Sequence, residues 1–339
     1  MDFSSDTSAP AHPQVIEAIA SANTGNAPSY GDDSHMARLR VALADVFETD
    51  DFDVWACASG TASNALALSC FCPPTGAVLC HAGAHIAVDE RGAPEFFSGG
   101  GKLQLLTGPD GKIEEAQLTA ALRRINHGFV HETPAHVLSL TNLTENGTAY
   151  RVAKVARFAA LAHDARLTVH MDGARLANAL AFTGASPADM TWRAGVDVLT
   201  FGLTKTGAIG CELILLFGRA RKKFGELKAR AKRSGHMPPK MRYLAAQGLA
   251  LLEDGLWLEL AAAANARAER LGDALSQRPG VTLAQSVEGN EVFAHISIEM
   301  AANLRAAGAV FYPWPDGSHR FVCSWTTSDT DVDALVNAL

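Results

Sequence analysis

Four short stretches of this chain are apolar without the polar alternation of a half-exposed strand: VLSLTN (137–142), LTVHMDG (167–173), VDVLTFG (196–202) and ELILLFG (212–218). Strands of that kind need cover on both faces, which a mainly parallel sheet obtains from flanking helices. The segments between them supply the helices; Val152 to Arg166 repeats apolar residues at three- and four-residue spacing. From Val54 to about Leu216 the chain therefore reads as a doubly wound α/β layer fold. Pro238-Pro239 breaks this pattern, and Met241 to Gln277 reads as two helices interrupted near Asp254-Gly255. Beyond Pro279-Gly280 the order is strand (VTLAQ), strand (EVFAHISI), helix (MAANLRAAG), strand (AVFYPW), strand (HRFVCSW) and a closing helix. Ser328 and Asp331 have the capping-box spacing at its start. The expected organisation is a large α/β domain with an N-terminal arm over 1–240 and a smaller α+β domain over 241–339.

Charge and hydropathy exclude several classes of partner. The 339 residues carry 29 basic and 36 acidic side chains, a net charge of −7, so the basic footprint of a nucleic-acid binder is missing. The longest apolar candidate for a membrane span, Ile209 to Phe217, is short and contains Glu212. No basic residue precedes Arg38, so the opening lacks the pattern of a secretory signal, and a cytoplasmic location is expected. The six cysteines show no CxxC pairing and read as reduced, buried hydrophobes. His81 and His85 stand four apart without a third ligand or an HExxH glutamate, so no metal site is expected.

Three motifs could carry chemistry. Ser59-Gly60-Thr61 ends a short strand and opens a good helix, which suits either a phosphate cradle or a plain N-cap. His170 and Asp172 share one face at the end of a strand, at the carboxyl edge where open α/β sheets bind ligands; Asp172 equally suits a cap. Lys205, flanked by Thr204 and Thr206 just past another buried strand, either reaches solvent or serves as an amine nucleophile. In this order, a phosphate grip, a sheet-edge aspartate and a lysine amine form the minimal set for pyridoxal phosphate.

With these motifs stand SDTSAP (5–10), YGDD (30–33), HIAVDERGAPEFFSGG (85–100), HMDGARLANAL (170–180) and TFGLTKTGA (200–208), and together the series resembles the fold-type-I L-threonine aldolases over nearly the whole chain. The continuation SPADMTWRAGVDVLTFG, SGHMPPKMR, DGLWLELA and GNEVFAHI is most similar to the bacterial low-specificity branch. The resemblance implies a pyridoxal 5'-phosphate enzyme with a seven-stranded, mainly parallel sheet and a small C-terminal domain. It implies that Lys205 is the Schiff-base lysine, Asp172 the partner of the pyridine nitrogen, Arg175 the arginine near the phenolic oxygen, and Ser59, Gly60 and Thr61 the phosphate cradle beside Thr204. His85 matches the histidine stacked on the ring, His131 a second histidine near the substrate hydroxyl, Ser5 and Arg320 the holders of the substrate carboxylate, and Tyr30 a tyrosine near the cofactor. Where relatives carry GGGMR, reaching a neighbour's cofactor phosphate, this chain has GHMPPK, with Lys240 as the substitute cation. Where relatives read LENT it has LTNLTENG, which brings Asn142 and Glu145 toward the pocket.

The implied reaction is retro-aldol cleavage of L-threonine, L-allo-threonine and other L-3-hydroxy-amino acids to glycine and an aldehyde, with His131 or His85 taking the hydroxyl proton. Phenylserine or 3-hydroxyaspartate as the preferred substrate, or a β-eliminating lyase on the same scaffold, are the alternatives. The expected partner is a small-molecule amino acid, and the expected assembly is a homotetramer built as a dimer of dimers.

Overall fold

The computed structural model describes residues 1–339. Seven strands form the main sheet: β1 (Phe52–Cys57), β2 (Ala77–His81), β3 (Lys102–Leu106), β4 (Ala135–Thr141), β5 (Thr168–Gly173), β6 (Val198–Gly202) and β7 (Glu212–Phe217), in the order β1-β7-β6-β5-β4-β2-β3. All neighbours from β6 to β3 pair in parallel, and β7 runs antiparallel to both β6 and β1. The carboxyl ends of β1, β4, β5 and β6 and the amino end of β7 therefore meet at one edge. All four apolar runs are strands, and every residue of β6 and β7 is buried, as runs without polar alternation require.

Helices cover both faces. Behind the sheet, aromatic rings lock edge to face, with centroids 5.6 Å apart for Phe47 and Phe201 and 5.0 Å for Phe201 and Trp257. Trp257 lies beyond the expected domain boundary, and this shows how the two cores are joined. The helix Leu256–Ser276 places Trp257, Leu260 and Ala261 in the large core and Ala268, Leu271 and Leu275 in the small one. Its 21 residues span about 30 Å, enough to serve both. The hand-over of packing thus falls inside this helix and not at 240/241.

The second sheet comprises β8 (Thr282–Leu283), β9 (Glu291–His295), β10 (Tyr312–Pro313) and β11 (His319–Val322), antiparallel in the order β10-β11-β9-β8. Ser328 and Asp331 form the expected capping box of the closing helix Asp329–Asn337. Phe3 belongs to this small core: its N–H donates to the Val310 carbonyl (2.9 Å), and its own carbonyl accepts from Val322 N (2.8 Å). The arm expected to belong to the large domain is thereby pinned to the small one. The pinning delivers the next turn, Asp6–Ser8, to the cleft between the two cores.

Candidate active site

The sheet edge encloses a cavity of about 260 Å³ whose wall includes Ser59, Gly60, Thr61, Asn64, His85, Glu145, Asp172, Arg175, Thr204, Lys205 and Glu212. Three elements separated in sequence supply its chemistry. The helix Gly60–Phe71 begins there, and Ser59 Oγ accepts from Ala62 N at 3.3 Å. Ser59 is thus the N-cap, and the unpaired N–H groups of the helix start face the same space as its hydroxyl. The cap reading of this motif is thus observed, and the same helix start leaves room for a phosphate.

Asp172 lies near the carboxyl end of β5 and is 3% exposed. Its Oδ1 accepts from Ala174 N (3.0 Å) and its Oδ2 from Asn64 Nδ2 (2.8 Å). It does not cap the next helix, which starts at Leu176 with Arg175 in the cap position. His170 below it is structural: buried, it bonds Ser139 and Thr200, and burial drops its pKa to about 4. Lys205 sits in the turn Thr204–Thr206 after β6, on the cavity wall, with Thr204 Oγ1 accepting from Cys211 N at 3.1 Å.

A buried polar chain runs behind the cavity. Asn64 Nδ2 also donates to Glu90 Oε1 (2.9 Å), and the same oxygen lies 2.8 Å from His85 Nδ1. This hydrogen bond, against the opposing effect of burial, raises the imidazole's pKa and fixes the ring's orientation. Burial in turn raises Glu90. Glu145 Oε1 accepts the His85 backbone N–H at 2.9 Å, and burial together with the Asp172 charge pushes its carboxyl up to about 7. Glu212, at the amino end of β7 opposite Gly202, is likewise pushed up to about 7, mainly by burial.

Arg175 is buried and clamps Asp6, with Nε donating to Oδ2 (2.7 Å) and Nη2 to Oδ1 (3.1 Å). Burial opposes ionisation of Asp6, but the Arg175 and Lys205 charges and hydrogen bonds from Arg175 and Asn290 outweigh it and hold the carboxyl below its usual range. Arg320, on β11, donates to the Ser4 carbonyl (3.2 Å), stacks over Trp314 and shares the Glu291 carboxylate with Arg175, outside the residues that line the cavity. Ser5 caps the turn carrying Thr7, and it is Thr7 that lines the cavity.

Three expected site residues do not join the cluster within the protomer. His131 is exposed four residues before β4, beside Lys102 and Gln104 of β3. The site uses Thr141 at the other end of β4, so the length of the strand separates them. Tyr30 is exposed, its N–H bonded to the Pro239 carbonyl and its ring under Lys232, and Lys240 is exposed beside it. Asn142 is also no cavity residue: its amide brackets the backbone of Tyr150, accepting from its N–H at 3.0 Å and donating to its carbonyl at 3.3 Å. His81 holds the Gly108 carbonyl, away from His85.

Sequence reading missed Asn64, Glu90, Glu212, Asp6 and Thr7. A signal existed for two of them, since Asn64 interrupts the apolar helix ASNALAL and Glu212 opens the wholly apolar run ELILLF. The donor set suits pyridoxal phosphate on the geometry alone. It offers a helix start with hydroxyls for a phosphate, a buried carboxylate for a ring N–H, an imidazole for the ring face and a lysine amine for a carbonyl.

Comparison with known proteins shows the family and the fold. The family model described as beta-eliminating lyase matches residues 2–299. The low specificity L-threonine aldolase of Pseudomonas aeruginosa is 41% identical over 335 residues, covering 98% of this chain and 94% of that protein. The solved threonine aldolase of Leishmania major superposes with a TM-score of 0.91 at 29% identity, over 99% of this chain and 97% of that one. The histidinol-phosphate aminotransferase of Clostridium acetobutylicum shares the fold, with a TM-score of 0.74 at 14% identity over 100% of this chain and 98% of that one.

Proposed function

The chain belongs to the beta-eliminating lyase family and, within it, to the low-specificity L-threonine aldolases, and from that premise we propose that it cleaves L-threonine and L-allo-threonine to glycine and acetaldehyde with pyridoxal 5'-phosphate. The observation that carries the reading is the gathering of Lys205, Asp172, His85 and the Ser59–Thr61 helix start around one cavity. When bound, the cofactor supplies a sink for the electron pair released as the Cα–Cβ bond breaks.

The chain's own residues do the rest. Asp172, held by Asn64 and Ala174 N, is pre-set to keep a proton on a ring nitrogen. Ser59, Gly60 and Thr61 would hold the phosphate, Lys205 would hold the cofactor through its amine with Thr204 beside it, and Arg175 would serve the phenolic oxygen. Arg320 fixes the substrate carboxylate and so selects which bond to Cα is cleaved, while Ser5 caps the turn that brings Thr7 to the cavity. His85 takes the β-hydroxyl proton, oriented for this by Glu90. His131, at the opposite edge of the sheet, has no route to its own protomer's site.

Incubating the holoenzyme with L-threonine, L-allo-threonine, phenylserine and 3-hydroxyaspartate tests the reading. Glycine and an aldehyde in equal amounts are expected, with the rates ranking the substrates; an α-keto acid with ammonia identifies a β-eliminating lyase instead. Borohydride reduction and peptide mapping should find the pyridoxyl group on Lys205.

Assembly as a homotetramer, a dimer of dimers, gives the exposed Tyr30 and Lys240 a function at a neighbour's site, and light scattering showing an active monomer would remove it. Six free, buried cysteines fit a reducing cytoplasm, where the reaction would serve glycine supply and threonine breakdown.

A further inference from the structure

Buried carboxylates normally accept hydrogen bonds, and one that accepts none needs a physical reason. Glu291, the first residue of β9, is 1% exposed, and neither of its oxygens has a hydrogen-bond partner. Its Oε1 lies 3.5 Å from Arg175 Nη2 and 3.9 Å from Arg320 Nη1. It is therefore an ion-pair bridge between two guanidinium groups without being tied to either. Arg320 keeps donor capacity as well, since its Nε has no partner.

The charged groups facing this point come from every element packed there. Asp6 comes from the arm, Arg175 from the end of β5, Arg320 from β11 and Lys205 from the loop after β6; Glu145, from the loop after β4, acts on Arg175. With Lys205 engaged by the cofactor, Asp6, Glu291, Arg175 and Arg320 cancel one another. Asp6 is fixed by three hydrogen bonds, two from Arg175 and one from Asn290. Burial has already raised Glu291 in spite of both arginines, whereas Asp6 is held low.

A substrate carboxylate docked on Arg320 brings a third anion to two guanidinium groups in a site with little water. An uncompensated buried charge is unfavourable, and the nearest remedy is a proton on the acid that gives up no hydrogen bond to take it. We propose that Glu291 is a placeholder for the substrate carboxylate: it balances Arg175 and Arg320 in the free enzyme and takes up one proton from solvent as a carboxylate ligand docks on Arg320. The proposal rests on the reading of Arg320 as the carboxylate holder. Glu291 is thus a positioning residue that makes substrate binding proton-linked.

The test uses the holoenzyme and 3-hydroxybutanoate, which has the carboxylate and hydroxyl of threonine but no amine to react at Lys205. Calorimetry at pH 8 in two buffers of different ionisation enthalpy counts the protons taken up on binding. The wild type should take up roughly one proton per ligand, with affinity falling up to about tenfold per pH unit as pH rises. In E291Q the uptake should vanish, and binding at pH 8 should tighten, because the two arginines then lack a competitor. A merely structural role for Glu291 would weaken binding and leave the proton count unchanged. E291M, of similar size and also uncharged, carries the same expectation and covers a folding defect in E291Q. No uptake in the wild type, or the same uptake in either variant, overturns the proposal. If 3-hydroxybutanoate does not bind the wild type, the proposal falls, and threonine cleavage by the same preparation shows whether the aldolase reading falls with it.

Discussion

Asn64 is the junction of the buried polar chain, and Asn64→Asp tests it with a side chain of almost identical shape. In the wild type one NH₂ group donates to Asp172 at 2.8 Å and to Glu90 at 2.9 Å. The variant replaces that donor by an acceptor, so three carboxyls share a site with about 3 Å between oxygens. At an effective dielectric of about 20, two unit charges at about 3 Å repel by about 5 kcal/mol, which corresponds to roughly four pKa units. One of the three must therefore hold a proton at neutral pH. An acid whose pKa in the folded state is raised above its unfolded value lets the fold keep its stability below the unfolded value and lose it as pH rises toward the folded one. The loss approaches about 1.4 kcal/mol per pH unit. Between about pH 5.5 and 7.5 the variant should thus fall behind the wild type by a further ~2.7 kcal/mol. Urea midpoints of the cofactor-free proteins at the two pH values measure it. A stability difference independent of pH would refute the chain of hydrogen bonds as described.

Two further outcomes are expected. Glu145 and Glu212 are both raised from 4.5 to about 7, so E145Q and E212Q should gain stability relative to the wild type as pH rises from 4.5 to about 7, with little change above; urea titration over that range checks the sign. Gly202→Ala should loosen the sheet edge, because a Cβ there would meet Ala174 Cα at 2.7 Å, its carbonyl at 2.8 Å and Glu212 Oε2 at 2.9 Å; a loss of about 1–3 kcal/mol and weaker cofactor uptake, read by thermal melting and absorbance titration, are expected.

The sequence by itself determined the layers and the principal motifs. Runs such as ELILLF suit strands covered on both sides, because they are short, bounded by glycine and leave no polar face for solvent. That fact, with Asp172 at the end of one such strand and Lys205 just past another, was enough to put both at one sheet edge. Local patterns also gave the break at Asp254-Gly255 and the Ser328 capping box, since both depend on neighbours a few residues apart. What only the tertiary structure decided involves partners remote in sequence. Asn64, Glu90 and His85 form one chain with Asp172, although Asn64 and Asp172 are 108 positions apart, and no periodicity encodes such a pairing. Glu291 reads as an ordinary strand residue until β9, β11 and the N-terminal arm bring two arginines to it. His131 illustrates the reverse: a motif match gives its residue type, but which end of β4 it occupies is fixed by the direction of the strand. A parallel sheet puts residues before a strand and residues after it on opposite edges, and that separation decides which side chains can share a site.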